Sequence, residues 1–333
     1  MDNMGKRSNP DAFQGNLKKK SYFEGWYHKI IDASAEHIYA IIPTIALNRK
    51  GLTSHCAIQF FDAVNVITEY FKFPIDEFKN LSNKKYEISI GKNYFSLDRS
   101  HLDIDQQGYK ITGDLNYIDP IPWPKKFLQP GAMGWLSYIP FLETYHSVVS
   151  MNHNIHGKIS FNGESVIFRN GKGYIEKDWG KSFPVAWIWT QSNHFSNQNL
   201  SFMFSIAKVP FLRMQFNGFL SAIWYEGKFF KFATYTGAKV KSLDVNPDNI
   251  QILVEDKKYK LYFEVAKKGI ESISLKAPQE GRMSGNIAES INSTIKLKLF
   301  DRRKRNIIID DLGVNAGFEA KDPETLKPKK INK

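Results

Sequence analysis

Two carboxylates stand one residue apart in Gly-Tyr-Ile-Glu-Lys-Asp-Trp-Gly, as Glu176 and Asp178, and the chain runs on through Trp179, Trp187 and Trp189 to Gln191 and Asn193. Carboxyl groups set among indoles point to acid chemistry kept away from water. Burial disfavours the charged form of a carboxyl and so keeps its proton near neutral pH. Aromatic faces stabilise positive charge at roughly 0.5–2 kcal/mol per contact. After Pro184 the residues alternate with period two, as in a strand. Val185, Trp187, Trp189, Gln191, Asn193 and Phe195 share one face; Ala186, Ile188, Thr190, Ser192 and His194 share the other. A face of indoles ending in two amides reads equally as the lining of a pocket for a large, mostly apolar ligand and as the dry interior of a barrel. A third acid, Glu24, lies between Phe23 and Trp26, with Tyr27 following. For each acid the alternative duty is to pair with a buried Lys or Arg, or to accept backbone N–H groups, and hold strands together.

Elements of one kind must position these groups. From Ser21 to about Glu319 the pattern is strand-like, with turn signals every ~8–12 residues. Tyr22–Ile31 and His37–Leu47 flank the turn-prone residues 32–36, which predicts a hairpin. Ile75–Leu81 and Met283–Ile291 read as short helices at most. Residues 119–140 break the rhythm with Pro120, Pro122, Pro124, Pro130 and Pro140, as a lid or a domain connection does. Roughly twenty short strands predict an all-β protein of two consecutive antiparallel barrels, an arrangement that leaves few exposed edges. The organisation expected is a flexible polar arm over 1–20, barrels over 21–165 and 166–320, and a basic tail over 321–333.

Composition narrows the function. The 333 residues are 42% apolar and 14% aromatic, enough for packed cores, and the net charge is +12. That charge suits weak contact with an anionic membrane surface, or simply solubility. No nucleic-acid module, phosphate loop, dinucleotide fingerprint or Gly-x-Ser-x-Gly element accompanies it. Cys56 is the only cysteine, so no intramolecular disulfide and no cysteine-based metal site is expected. His153 and His156 read as loop or surface positions and lack an evident third ligand. Residues 1–20 have no secretory signal pattern, and Ile38–Leu47 is too short to span a bilayer. A cytoplasmic protein follows as the expectation, peripheral to a membrane at most.

The chain resembles the tocopherol cyclase family. Phe23-Glu24-Gly25-Trp26-Tyr27 matches its opening signature, and Gly134-Trp135-Leu136 with Pro140-Phe141 its middle segment. Glu176-Lys177, Trp179-Gly180, Phe183-Pro184, Trp187, Trp189, Gln191 and Asn193 match its central block, followed by Ala277-Pro278 and the closing strands, in order over about 300 residues. The departures are His28 for Phe, Asp178 for Asn, and Lys181-Ser182 for a glycine pair. The resemblance implies tandem lipocalin-like barrels and closure of a chromanol ring. A proton is delivered to a prenyl double bond, and the neighbouring phenol oxygen captures the tertiary cation. That chemistry requires no cofactor and no metal. Glu176, Asp178 and Glu24 are then the candidate acids. Trp26, Tyr27, Trp179, Trp187, Trp189, Gln191 and Asn193 are the candidate substrate contacts, and His146 or His194 a candidate proton acceptor. Hydration of an isoprenoid double bond, carriage of a hydrophobic lipid without turnover, and a purely structural role are the alternatives.

Overall fold

The computed structural model describes residues 6–48, 53–211, 214–267 and 272–328. They form two compact units. One runs to Phe183 and includes Ile273–Ile287; the other comprises Pro184–Ser272 and the chain from Ala288.

The first unit is built on β1 (Tyr22–Ile31), β2 (Ile38–Leu47), β3 (His55–Asp62), β4 (Ile67–Pro74), β5 (Phe78–Asn80), β6 (Glu87–Ile90), β7 (Asn93–Ser96), β8 (Arg99–Gln106), β9 (Tyr109–Ile118), β10 (Thr144–Phe161) and β11 (Glu164–Gly180). They form one 11-stranded antiparallel sheet in the order β4-β3-β2-β1-β11-β10-β9-β8-β7-β6-β5. The second unit carries β12 (Trp187–Ser192), β13 (Leu200–Phe211), β14 (Met214–Tyr225), β15 (Lys228–Ala233), β16 (Lys239–Val245), β17 (Asn249–Glu255) and β18 (Tyr259–Ala266). After β19 (Ile273–Gln279), β20 (Arg282–Asp301) and β21 (Asn306–Lys321) complete a sheet ordered β15-β14-β13-β12-β21-β20-β18-β17-β16, with β19 paired to β20.

The all-β, antiparallel class expected from the alternation is the class observed. Neither sheet is closed by a hydrogen-bonded ladder among the described residues, so the closed barrels expected are instead rolled sheets with a seam. The seam has a simple origin. The two edge strands of each sheet are consecutive in sequence: β4 reaches β5 through the 3-10 turn Ile75–Glu77, and β15 reaches β16 through Thr234–Thr236. Such links are far too short to cross a flat sheet of nine or more strands spaced at ~4.8 Å. Each sheet must therefore curl until its edges meet. Each encloses its own apolar core, around Trp26, Ile58, Phe60 and Phe95 in the first and around Phe202, Phe204, Phe263 and Leu297 in the second.

Several expectations change. The boundary set at 165/166 falls inside β11, and the units divide at Phe183/Pro184. Met283–Ile291 lies in β20, an extended strand and not a helix. Residues 6–20 are not a loose arm: Phe13 is buried in the first core, and the Lys177 ammonium donates to the carbonyls of Pro10 and Ala12 at 2.6 Å each. At the other end, Leu326 is buried in the second core, so the tail expected from 321 is ordered that far.

Candidate functional site

Antiparallel pairing puts directly opposed residues on the same face of a sheet. In the first unit, β11 lies between β1 and β10, and its register sorts the candidates into two faces. Glu24 opposes Trp179, and Trp26 opposes Lys177, on the face that holds the apolar core. Gly25 opposes Asp178, Tyr27 opposes Glu176, and His146 of β10 opposes Asp178, on the other face. Gly180 makes this register possible. Its φ is +154°, and a Cβ there would run into the Glu143 carbonyl, just before β10 starts at Thr144.

On the core face, Glu24 and Lys177 are both fully buried and form an ion pair at 2.6 Å. The carboxylate also accepts the backbone N–H groups of Gln14 and Gly15 at 3.0 Å and the hydroxyl of Tyr22. The Lys177 ammonium lies 5.4 Å from the Trp26 ring centroid and 4.6 Å from that of Trp179. Trp26 stacks on Tyr86, and Trp179 on Tyr145. Glu24 is thus an acceptor saturated by donors, and the two indoles already face a resident cation. These residues lock β1, β11 and the N-terminal segment together.

The other face carries a different constellation. Asp178 Oδ1 accepts Nδ1–H of His146 at 3.0 Å, and His146 Nε2 lies 3.6 Å from Glu176 Oε2. Tyr174, two residues before Glu176 on the same face, donates its hydroxyl to Glu176 at 2.6 Å. Burial keeps this phenol a donor, pushing it well above its usual pKa, with the Glu176 charge adding to the effect. The His146 side chain is only 11% exposed, and Nε2 makes no hydrogen bond among the described residues. Burial alone would push this imidazole down. The charges of Asp178 and Glu176, with the hydrogen bond to Asp178, outweigh it and raise His146 to about 9. At neutral pH the site therefore holds an imidazolium between two acids, a proton poised at Nε2 and facing Glu176. The three ligand atoms lie within 4.8 Å of one another, a spacing that would also suit a divalent cation in place of that proton. Gly25, opposite Asp178, lets the Thr44 side chain come close; a Cβ there would stand 3.1 Å from the Thr44 hydroxyl.

Of the acids singled out in the sequence, Glu176 and Asp178 are brought together and Glu24 is assigned elsewhere. Of the substrate contacts, Tyr27 shares the face of the acid pair, whereas Trp26 and Trp179 face the core. Trp187, Trp189, Gln191 and Asn193 belong to the second unit, where β12 is buried on both faces. The Trp187 indole donates to Glu319 at 2.9 Å, and the Trp189 ring lies against Gly317. His153 is not a surface residue. It is buried in β10, with Nδ1 on Ser150 at 3.0 Å and its ring 4.7 Å from that of Tyr117. His28, the departure from the family pattern, bridges the Tyr86 hydroxyl at 2.7 Å and the Tyr117 hydroxyl at 3.2 Å. In the sequence His146 is, with His194, one of two candidate proton acceptors. Its link to Asp178 rests on the β10–β11 register and leaves no trace in local spacing.

A family model described as tocopherol cyclase-like matches residues 20–320. Among curated relatives, a probable chloroplastic tocopherol cyclase of Oryza sativa subsp. japonica is 28% identical over 201 residues, covering 57% of this chain and 42% of that protein. A chloroplastic tocopherol cyclase of Zea mays is 27% identical over 269 residues, covering 66% of this chain and 56% of that protein. The chain thus spans about half the length of the curated relatives it matches. Among solved structures, CghA superposes with a TM-score of 0.57 at 9% identity, over 90% of this chain and 87% of that one. Kievitone hydratase from Nectria haematococca gives 0.50 at 11% identity, over 94% and 90%. At such identities the likeness is one of fold. No helix among the described residues is long and apolar enough to cross a membrane.

Proposed function

The chain belongs to the tocopherol cyclase-like family, and from that premise we propose that it is an enzyme that adds a proton to the double bond of an isoprenoid chain. The prenylated quinol or phenol that carries the chain closes to a chromanol. The observation that supports this reading is the His146–Glu176–Asp178 cluster, partly withdrawn from water on the face opposite the core.

The chemistry follows from the cluster's charges. His146 Nε2 faces Glu176 Oε2 at 3.6 Å, so a proton shared by this pair is delivered to the alkene through the Glu176 carboxyl, which is left as the carboxylate. The protonated alkene becomes a tertiary carbocation, and the carboxylate left on Glu176, with that of Asp178, stabilises it electrostatically in a poorly solvated setting. The phenol oxygen closes on the cation, its O–H proton returns to the cluster, and substrate and product are isomers. Asp178 holds the imidazole in one orientation throughout, and Tyr174 fixes the Glu176 carboxyl.

Hydration is the second reading, and the fold shared with kievitone hydratase supports keeping it. Water replaces the phenol as the trap, and proton delivery is unchanged. The test is turnover of a prenylated hydroquinol by the protein and by Glu176→Gln. Loss of a general acid typically removes 10²–10⁴ in rate, so the variant should lose about a hundredfold or more while still binding the ligand. Equal turnover by both, or binding without turnover by the unmodified chain, would contradict the reading.

A further inference from the structure

The loop between β9 and β10 departs from ordinary surface chemistry in three places. At its start Lys126 and Gln129 exchange backbone hydrogen bonds at 2.9 Å in both directions, an isolated antiparallel bridge around a two-residue turn. The residues at the apex of that turn are Phe127, 93% exposed, and Leu128, 66% exposed. Two-residue turns demand Asn, Asp or Gly where φ is positive, and neither Phe127 nor Leu128 is among the residues with positive φ. The turn does not call for a large apolar pair, and solubility disfavours one. Trp135, on the 3-10 turn Gly134–Tyr138, is 49% exposed. Phe141 is 93% exposed and held at φ +67°, a conformation that costs a bulky residue energy and persists where the surroundings impose it.

The loop is otherwise well anchored. Trp123 is buried, Tyr138 donates to the Phe127 carbonyl at 3.1 Å, and Tyr145 donates to the Ile139 carbonyl at 2.7 Å. Arg7 donates to the Tyr138 carbonyl at 2.8 Å, and Lys125 is ion-paired to Asp11. These side chains are therefore presented to solvent by a braced segment and do not merely hang from a slack one.

We propose that this loop is a membrane-docking element, with Phe127, Leu128, Trp135 and Phe141 entering the headgroup–acyl boundary of a lipid bilayer. Aromatic and aliphatic side chains flanked by Lys126 and Arg7 are the composition that binds such a boundary, and the chain's net charge of +12 favours an anionic surface. A nucleic acid would match the charge but leave these apolar side chains uncovered. The loop also borders the acid cluster. Beside His146 the free edge of β10 is taken by the loop and not by β9: Met133 Sδ accepts the His146 backbone N–H at 3.1 Å. Docking would bring a lipid to the residues that act on it. That last step rests on the reading of the cluster given above, whereas docking itself does not.

Co-sedimentation of the full chain with phosphatidylcholine vesicles, with and without phosphatidylserine, tests docking directly. The variant Phe127→Ser/Leu128→Asn keeps a turn that most residues tolerate, so its thermal midpoint should match that of the unmodified chain. Its partitioning into phosphatidylserine vesicles should fall about tenfold or more, consistent with the apolar area withdrawn from the interface. Phe141→Asn, which tolerates a positive φ, should act in the same direction. Failure of the unmodified chain to sediment with either vesicle, or equal sedimentation of the variants, would overturn the proposal; so would binding to a single-stranded oligonucleotide that vesicles fail to displace. Turnover of a detergent-dispersed substrate by the apex variant would show that the acid site survives without docking, keeping the two readings separable.

Discussion

Glu24 and Glu176 are buried glutamates on neighbouring strands, and their surroundings give them opposite duties. Glu24 is matched by Lys177 and three hydrogen-bond donors, so Glu24→Gln leaves an ammonium buried without its counter-charge. Removing one partner of a buried pair costs about 3–5 kcal/mol, and urea denaturation should show a loss of that order. Glu176→Gln keeps an acceptor for Tyr174 and should cost far less stability while lowering turnover about a hundredfold or more. His146 adds a pH signature. Its folded pKa of about 9 lies above the ordinary value near 6.5, so folding holds the proton more tightly than the unfolded chain does. The stability this supplies, roughly 3 kcal/mol, is fully present below pH 6.5 and is lost as pH rises through 9. The stability difference between the protein and His146→Gln, measured by urea denaturation, should shrink across that window; a difference independent of pH would contradict the assignment. The sequence displayed all three acids, but their flanks look alike. What separates Glu24 from Glu176 is which residues oppose them across β1 and β11, a relation between distant segments that no local spacing records.

Strands were the legible elements, because alternation and turn residues are local properties. The hairpin of β1 and β2 falls where Asp32–Glu36 predicted it, and Ile31 opposes Ile38. The N-terminal segment was not legible, since its polar composition hides a few decisive contacts. Phe13 packs between Trp26 and Phe78, and the backbone of Gln14 and Gly15 caps Glu24. Deleting residues 1–15 should therefore destabilise the first unit by several kcal/mol. Burial of one such aromatic contributes about 1.5–3 kcal/mol, and uncapping the ion pair adds to the loss. A truncated chain with an unchanged urea midpoint would show that the segment is dispensable. The Pro/Gly-rich loop was legible as a loop; its apolar apex acquires meaning only from the exposure of Phe127 and Phe141.

At the scale of the whole chain, the paired architecture was readable because two sets of strands with similar turn spacing follow one another. The interruption was not. Ile273–Ile287 belongs with the first unit, where the Lys276 N–H donates to Gln59 and the Phe183 N–H to the Pro278 carbonyl. Its strand pattern is no different from that of its neighbours, so sequence order placed it in the wrong unit. For the same reason the carboxylates and indoles read as one continuous lining divide at Phe183/Pro184 between two sheets. The chemistry proposed accordingly rests on a cross-strand cluster and not on a single stretch. Turnover of a prenylated hydroquinol in deuterium oxide, with the product examined by mass spectrometry, tests it most directly. Proton delivery from the cluster predicts a single non-exchangeable deuterium on the former alkene carbon, formed by the protein and by Glu24→Gln but not by Glu176→Gln. Product without deuterium at that carbon, or deuterium incorporated equally by Glu176→Gln, would contradict the account.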